Sequence, residues 1–417
     1  MALKAKSMPT FAEFSEKSLA LCRYFAIITA IAAPVSTAVS SVASIALLVT
    51  WLISGQALQT LKKSYQHPVG KAMLLFVAWL IIGALYADTE WPAKITTLLS
   101  WKKLFFAFIL LGLFDEALWQ RRFVHSYVIF MFFAGIAALP LWAFGLNVRE
   151  GATGPGIFMT NWSSQSIAFV AAFLCCIFLI QNEALSIKQK RYAWMAIAIF
   201  LFNILFISTS RSGYLALPAS LFFAGMIIYG YKKLPQILLV LFGVLLIVGA
   251  SSSNLQERIK LGLQEKSSYQ SSGNESSIGL RMVFYKNTLE LIKDRVIFGY
   301  GTSSFEKTYT ALAASKYQDW RGGKTADPHN QYLFVWLENG LIGLLLFFAY
   351  IYVALKQGLH NKPYGPIAAC FLVAICASSL FNSHFKTFAE GNLLAFFLGA
   401  LLARPQSLPA ISSGSHA

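Results

Sequence analysis

The chain has 417 residues, of which 57% are hydrophobic and only 12% charged, with a mean hydropathy of +0.59; these values argue against a soluble domain and for a polytopic membrane protein. Lys and Arg outnumber Asp and Glu by 34 to 18, a net charge of +16, yet many of the bases sit in short connections between apolar runs, as in Lys62-Lys63, Lys188 to Arg191 and Lys232-Lys233. That is the bias of cytoplasmic loops facing membrane lipids, so no nucleic acid partner is expected.

The first residues carry Lys4, Lys6, Lys17 and Arg23 ahead of an apolar run from Tyr24 to Ile53. The polar lead is longer than a cleaved signal needs, and a run of this length, broken by Pro34, reads as two helices with a tight turn. Further spans are expected at 71–88, 99–115, 122–144, 164–182, 191–208, 212–229, 235–251, 331–355, 364–382 and 388–403, about twelve transmembrane helices in all. An even count puts both termini on one side. With that side cytoplasmic, the loops holding Lys62-Lys63-Lys71, Arg121-Arg122, Lys188-Lys190-Arg191, Lys232-Lys233, Lys356-Lys362 and Arg404 fall inside, while Asp88-Thr89-Glu90, Arg211, residues 254–331 and His384 to Lys386 fall outside. The five cysteines, Cys22, Cys175, Cys176, Cys370 and Cys376, lie in or beside apolar runs without metal-ligand spacing and read as small packing residues.

The large insertion carries eleven Lys or Arg and eight acids, so it is only mildly basic. Its Ser-, Gly- and Asn-rich stretch from Ser267 to Ser277 reads as a loop. Ile278, Met282, Tyr285, Leu289, Ile292 and Val296 then recur at four- and three-residue steps, predicting an amphipathic helix that ends at Gly299-Tyr300-Gly301. A shorter helix follows Thr302 or Ser303, with Phe305, Tyr309 and Leu312 on its apolar side, and the two helices together could lie over the mouth of the bundle as a lid. Residues 146–163, with Arg149, Gly151, Gly154, Pro155 and Gly156, read as an irregular loop lining the same space.

Three charged positions stand out. Arg211, in Ser208-Thr209-Ser210-Arg211-Ser212-Gly213, either snorkels to headgroups or, with the three preceding hydroxyls, binds phosphate oxygens. Arg281 opens the amphipathic helix, where it is either solvated or bears on an anion below; Arg295 complements that helix's dipole. His329 lies in Asp327-Pro328-His329-Asn330 at the start of a span, and is either a polar cap or a base suited to a sugar hydroxyl near neutral pH. Asp327 either orients it or caps the helix. Lys102-Lys103, His384 and Lys386 read as interface anchors and His125 as a snorkelling residue, while Glu338, inside a span with Asn339 and Gly340, demands a partner. No phosphate-binding GxxxxGK[ST] loop, Asp-x-Asp or HExxH pattern is present, so neither ATP, nor a metal, nor another cofactor has a visible site.

The stretches STSRSGYLA at 208–216, RMVFYKNTLELIKDRVIFGYGTSSF at 281–305 and PHNQYLFVWLENGLIGLLLF at 328–347 resemble, in order and spacing, the O-antigen ligase and polymerase superfamily, over about residues 160–350. The resemblance implies an all-α, GT-C-like glycosyltransferase of the bacterial inner membrane with one large periplasmic helical loop. Its donor would be an undecaprenyl pyrophosphate-linked glycan. In the ligase branch the glycan moves en bloc to a terminal sugar of lipid A-core, without metal or ATP. Arg211 and Arg281 would then hold the pyrophosphate and His329 would activate the acceptor hydroxyl, with Ser210, Asp327 and Asn330 behind them. The expected organisation is 1–251, transmembrane helices with short loops; 252–330, the periplasmic lid and active-site insertion; and 331–417, the last spans and a cytoplasmic tail. One middle-sized outer loop fits a ligase better than a protein O-oligosaccharyltransferase, which usually adds a C-terminal soluble domain. A polymerase, and in another class a lipid-linked glycan transporter, remain the alternatives.

Overall fold

The computed structural model describes residues 10–149, 154–208, 210–251, 256, 260–261 and 276–404, and these are all-helical with no strand among them. Helix α1 (Phe11–Ala32) starts at a capping box in which Thr10 and Glu13 exchange side-chain and backbone hydrogen bonds, and α2 (Thr37–Ile53) is capped by Ser36, so the chain reverses about Pro34 as expected. After α2 the chain bends by 105° into α3 (Ala57–Gln66). The sequence places Lys62-Lys63 in a loop, whereas the chain is helical there and packs Ala57, Thr60, Leu61 and Ser64 on one face. Then follow α4 (Pro68–Tyr86), α5 (Trp91–Ser100), α6 (Lys103–Leu113), α7 (Ala117–Ala143), α8 (Trp162–Asn182), α9 (Ile187–Phe202), α10 (Arg211–Tyr229) and α11 (Leu234–Ser251). Beyond them come α12 (Ser277–Asp294), α13 (Phe305–Lys316), α14 (Gln331–His360), α15 (Gly365–Ser378) and α16 (Phe388–Leu402).

Seven helical units among the described residues are long and apolar enough to cross a membrane: α4, α5 with α6, α7, α8, α9 with its terminal turn, α10 and α14. The bent α2–α3 pair could make an eighth, and α15 and α16 are apolar but shorter. The protein is therefore a polytopic membrane protein. Most of the most apolar stretch of α8 (89%) is buried, against 33% for α7, α9 and α10. A helix that is apolar on every face belongs at the centre, whereas one with a single packed face lines the perimeter and shows the rest to lipid. Helices α15 and α16 are central too, and Phe397 of α16 packs its ring 5.2 Å from Phe123, 4.9 Å from Tyr127 and 5.1 Å from Phe371, tying α7 to α15.

Ion pairs fasten one end of this bundle. Asp115 pairs with Arg23 at 3.3 Å and Lys63 at 2.6 Å. Glu183 accepts from Tyr364 at 2.7 Å and meets Arg121 at 3.2 Å and His125 at 3.1 Å, so His125 contacts a carboxylate within the protein instead of snorkelling.

The opposite end is organised by a break in α14. Gly340 sits at φ 65°, and around it the helix gives up its own hydrogen bonds and pairs with residues 296–301 instead. Leu341 and Ile342 donate to the carbonyls of Val296 (2.8 Å) and Ile297 (3.3 Å), while Tyr300 and Gly301 donate to those of Leu337 (2.9 Å) and Glu338 (2.7 Å). A Cβ on Gly340 would lie 2.1 Å from the Ile297 oxygen, so only glycine fits. Asn339 accepts from Trp79 of α4 through its backbone oxygen at 2.9 Å and from the Thr302 hydroxyl through its side chain at 2.9 Å. The buried Glu338 accepts the Phe305 N–H at 3.3 Å, placing a carboxylate at the N-terminus of α13, the structural partner its position required. Tyr309 of α13 then receives Asn287 of α12 at 3.3 Å and meets the Phe284 ring at 5.6 Å, so both helices are packed in place.

Candidate active site

Arg211 stands at the first position of α10. The preceding helix α9 ends in a π-turn, Asn203–Ile207, an uncommon geometry often found beside functional sites. Its last bond runs from the Ser208 N–H to the Asn203 carbonyl at 2.7 Å. Ser210 then caps α10 by accepting from the Gly213 N–H at 3.5 Å. Ser208 and Ser210 are buried, and of the two only the Ser210 hydroxyl takes part in the helix start; Thr209 lies outside the described residues. What the turn presents is the Arg211 guanidinium at a helix N-terminus, where the backbone dipole adds positive potential.

Arg281 lies on α12, capped by Ser276, whose hydroxyl accepts from Gly279 at 3.0 Å. The two arginines, 70 positions apart, converge: Arg211 Nη1 donates to the Ser277 hydroxyl at 3.4 Å and Arg281 Nη1 donates to the same oxygen at 3.2 Å. Two guanidinium groups meeting at one hydroxyl gather several N–H donors in one place, an arrangement suited to an anion with several oxygens.

Helix α12 also packs against the histidine. The His329 ring stacks on Phe284, centroids 5.9 Å apart and planes at 24°, and its carbonyl accepts from Tyr285 at 3.1 Å. Tyr285, whose phenol is pushed above its ordinary value chiefly by burial, also reaches the Leu380 carbonyl at 2.7 Å. Ser277, Arg281 and Tyr285 are spaced by four and share one helix face, so a single helix collects both arginines and the histidine. His329 itself adopts φ 55°, a left-handed conformation costing about 1–2 kcal/mol for a residue with a Cβ. Asp327 holds it there: its Oδ1 accepts the His329 backbone N–H at 2.6 Å and the Ser383 hydroxyl at 2.8 Å. Asp327 thus fixes the backbone and not the imidazole, and the helix cap is Asn330, which accepts from Tyr332 at 3.0 Å and Leu333 at 3.1 Å. Among the described residues the ring nitrogens of His329 hold no protein hydrogen bond, and the residue is half-buried.

Several contributors escaped the sequence reading. Phe284 and Tyr285 were apolar-face residues of a predicted helix, and their one visible signal was a spacing of three and four from Arg281. Lys103 and His384, read as interface anchors, are buried: Lys103 Nζ donates to the Lys386 carbonyl at 2.8 Å, and His384 touches Ser212. Arg149 donates to the Val35 carbonyl at 3.3 Å, so its loop packs on the α1–α2 turn. Apart from the polar site, an apolar groove of about 590 Å³ opens between α8, α9, α10 and α11, with Trp194, Tyr229 and Lys233 on its lining.

Residues 196–348 match the family described as O-antigen ligase. Among curated proteins, one from Rickettsia conorii that bears the name "Putative polysaccharide ligase" is 27% identical over 315 residues, covering 72% of this chain and 71% of that protein. An uncharacterised protein from Haemophilus influenzae is 24% identical over 211 residues, 47% of this chain and about half (52%) of its own length. The matched region runs from α9 to the middle of α14 and holds Arg211, Arg281 and His329 together, so the chain carries a domain of the O-antigen ligase family, as its motifs implied.

Proposed function

We propose that this protein is a metal- and ATP-independent glycosyltransferase that moves a glycan en bloc from undecaprenyl pyrophosphate to a sugar hydroxyl of lipid A-core, at the periplasmic face of the bacterial inner membrane. The observation that carries the reading is the convergence of Arg211 and Arg281 on the Ser277 hydroxyl, with His329 stacked against the same helix.

In this reading the two guanidinium groups bind the donor's pyrophosphate and His329 faces the acceptor. The acceptor oxygen bonds to the anomeric carbon as the bond from that carbon to the phosphate oxygen breaks. The hydroxyl proton passes to a ring nitrogen of His329, and the electron pair of the broken bond stays on the lipid pyrophosphate. Attack opposite the leaving group inverts the anomeric centre. Negative charge grows on the leaving group, so preorganised cations stabilise the transition state more than the bound donor, which is the condition for acceleration. The strained backbone at His329 serves to hold the base in one orientation.

The test is His329→Ala in a cell that makes O-antigen, scored on lipopolysaccharide. Loss of the base is expected to reduce ligation about 10²- to 10⁴-fold, leaving bare core and accumulated lipid-linked glycan. Single repeat units still attached to core would instead identify a polymerase. Undiminished ligation by a normally expressed variant would remove His329 from the chemistry.

A further inference from the structure

One contact at the site joins neither arginine nor histidine directly. Residues 379–387, between α15 and α16, thread behind both halves of the site. Ser383 donates to Asp327, which holds His329; the next residue, His384, places Nε2 3.1 Å from the Ser212 hydroxyl, one position after Arg211. His384 is completely buried. Its other nitrogen, Nδ1, lies 4.0 Å from Oε1 of the buried Glu390, whose oxygens accept from Ser164 at 2.9 Å and Thr387 at 2.7 Å. The loop is itself pinned, since the Phe385 N–H donates to Gln331 at 3.1 Å and the Lys103 ammonium caps the Lys386 carbonyl.

We infer that His384 is a positioning residue for the pyrophosphate-binding Arg211: with Glu390 behind it, its imidazole holds Ser212 and so sets the register of the first turn of α10. The inference rests on the donor-binding role given to Arg211 above. At 4.0 Å the Glu390 carboxylate makes no hydrogen bond to Nδ1, but its charge favours the ring proton on that nitrogen, which leaves the lone pair on Nε2 to accept the Ser212 O–H. Burial lowers the affinity of His384 for a second proton, against the opposing pull of Glu390 and Asp327, which agrees with a neutral ring acting as acceptor. Because Arg211 extends from the residue next to Ser212, a freed Ser212 lets the guanidinium drift from its shared seat with Arg281. Two adjacent residues, Ser383 and His384, thereby couple the position of the base to that of one cation.

The experiment measures kcat/KM for the full-length protein in liposomes, with undecaprenyl pyrophosphate-linked O-antigen as donor and lipid A-core as acceptor. Losing one net hydrogen bond is expected to lower kcat/KM roughly three- to tenfold in His384→Ala and equally in Ser212→Ala, with no further loss in the double variant. Gln, whose carbonyl can reach the place of Nε2, restores activity at position 384, and the shorter Asn does not. In an Arg211→Ala background His384→Ala has no added effect, whereas in an Arg281→Ala background the loss persists. A His384→Ala defect that is undiminished in Arg211→Ala, or that Gln and Asn repair equally, assigns His384 to general packing and overturns the inference. Wild-type activity in His384→Ala and Ser212→Ala also overturns it while leaving the Arg211 reading intact. Wild-type activity in Arg211→Ala removes that reading and the inference with it.

Discussion

Replacing Gly340 by Ala perturbs the one point where the 296–305 segment and α14 are built as a single piece. Ala must adopt φ 65°, at a cost of about 1–2 kcal/mol. The new methyl would also sit 2.1 Å from the Ile297 oxygen and 2.5 Å from the Phe298 carbonyl carbon, both backbone atoms that cannot rotate away. The segment must withdraw, and the nearest pairings, Leu341 to Val296 and Ile342 to Ile297, go with it at about 1 kcal/mol each. The sum, about 3–4 kcal/mol, lies at the upper end for a point substitution. We expect Gly340→Ala to lose most of its thermal stability margin in detergent and nearly all ligation activity, with rapid proteolysis between α12 and α14. Leu345→Ala, a lipid-facing change one turn on, should be neutral. A Gly340→Ala protein with wild-type melting and activity would refute the claim that this segment is locked to the helix break.

Arg211→Lys should lower kcat/KM about 10- to 100-fold while the fold persists, because a point charge cannot replace the guanidinium fork on phosphate; titration with lipid-linked donor measures it. Tyr285→Phe removes the hydroxyl that steadies the His329 and Leu380 carbonyls, and should reduce kcat roughly fivefold with little change in donor KM. Glu183 sets an acid limit on stability. Burial opposes its charge, but Tyr364, His125 and Arg121 together keep its carboxyl below the ordinary value. The stabilisation is therefore present above about pH 4.3 and fades as pH falls through the lowered value, and Glu183→Gln should flatten the melting temperature across that window.

The apolar spans were legible because length and hydropathy alone decide whether a helix can sit in lipid: each expected span overlaps a helix, and among the described residues seven helical units are long and apolar enough to cross a membrane. Helix α3 was not, because only Ala57 and Leu61 of its packed face (Ala57, Thr60, Leu61 and Ser64) are apolar, so the helical period carries little hydrophobic signal. The convergence of Arg211, Arg281 and His329 was readable only as motif order joined to topology. Its agent, the Ser277–Arg281–Tyr285 face, could not be read, because nothing in a chain says which residues 44 or 66 positions apart will touch. Glu338 and Gly340 announced a polar anomaly inside a span, but the answer, a neighbouring segment that completes the broken backbone, exists only in three dimensions. His384 misled because an imidazole near a membrane surface is usually exposed, and burial is a property of the whole bundle.

The shared backbone ladder at the α14 break has a consequence for engineering chimeras. A loop that ends at its flanking spans invites exchange between related enzymes to transplant acceptor preference. Here the cut cannot fall at the helix start, because residues 296–305 are completed by 337–342 and by Leu80 and Tyr86 of α4. A graft that respects these joints must carry the outer ends of two distant helices along with the loop, and recombination confined to the loop is expected to yield unfolded hybrids.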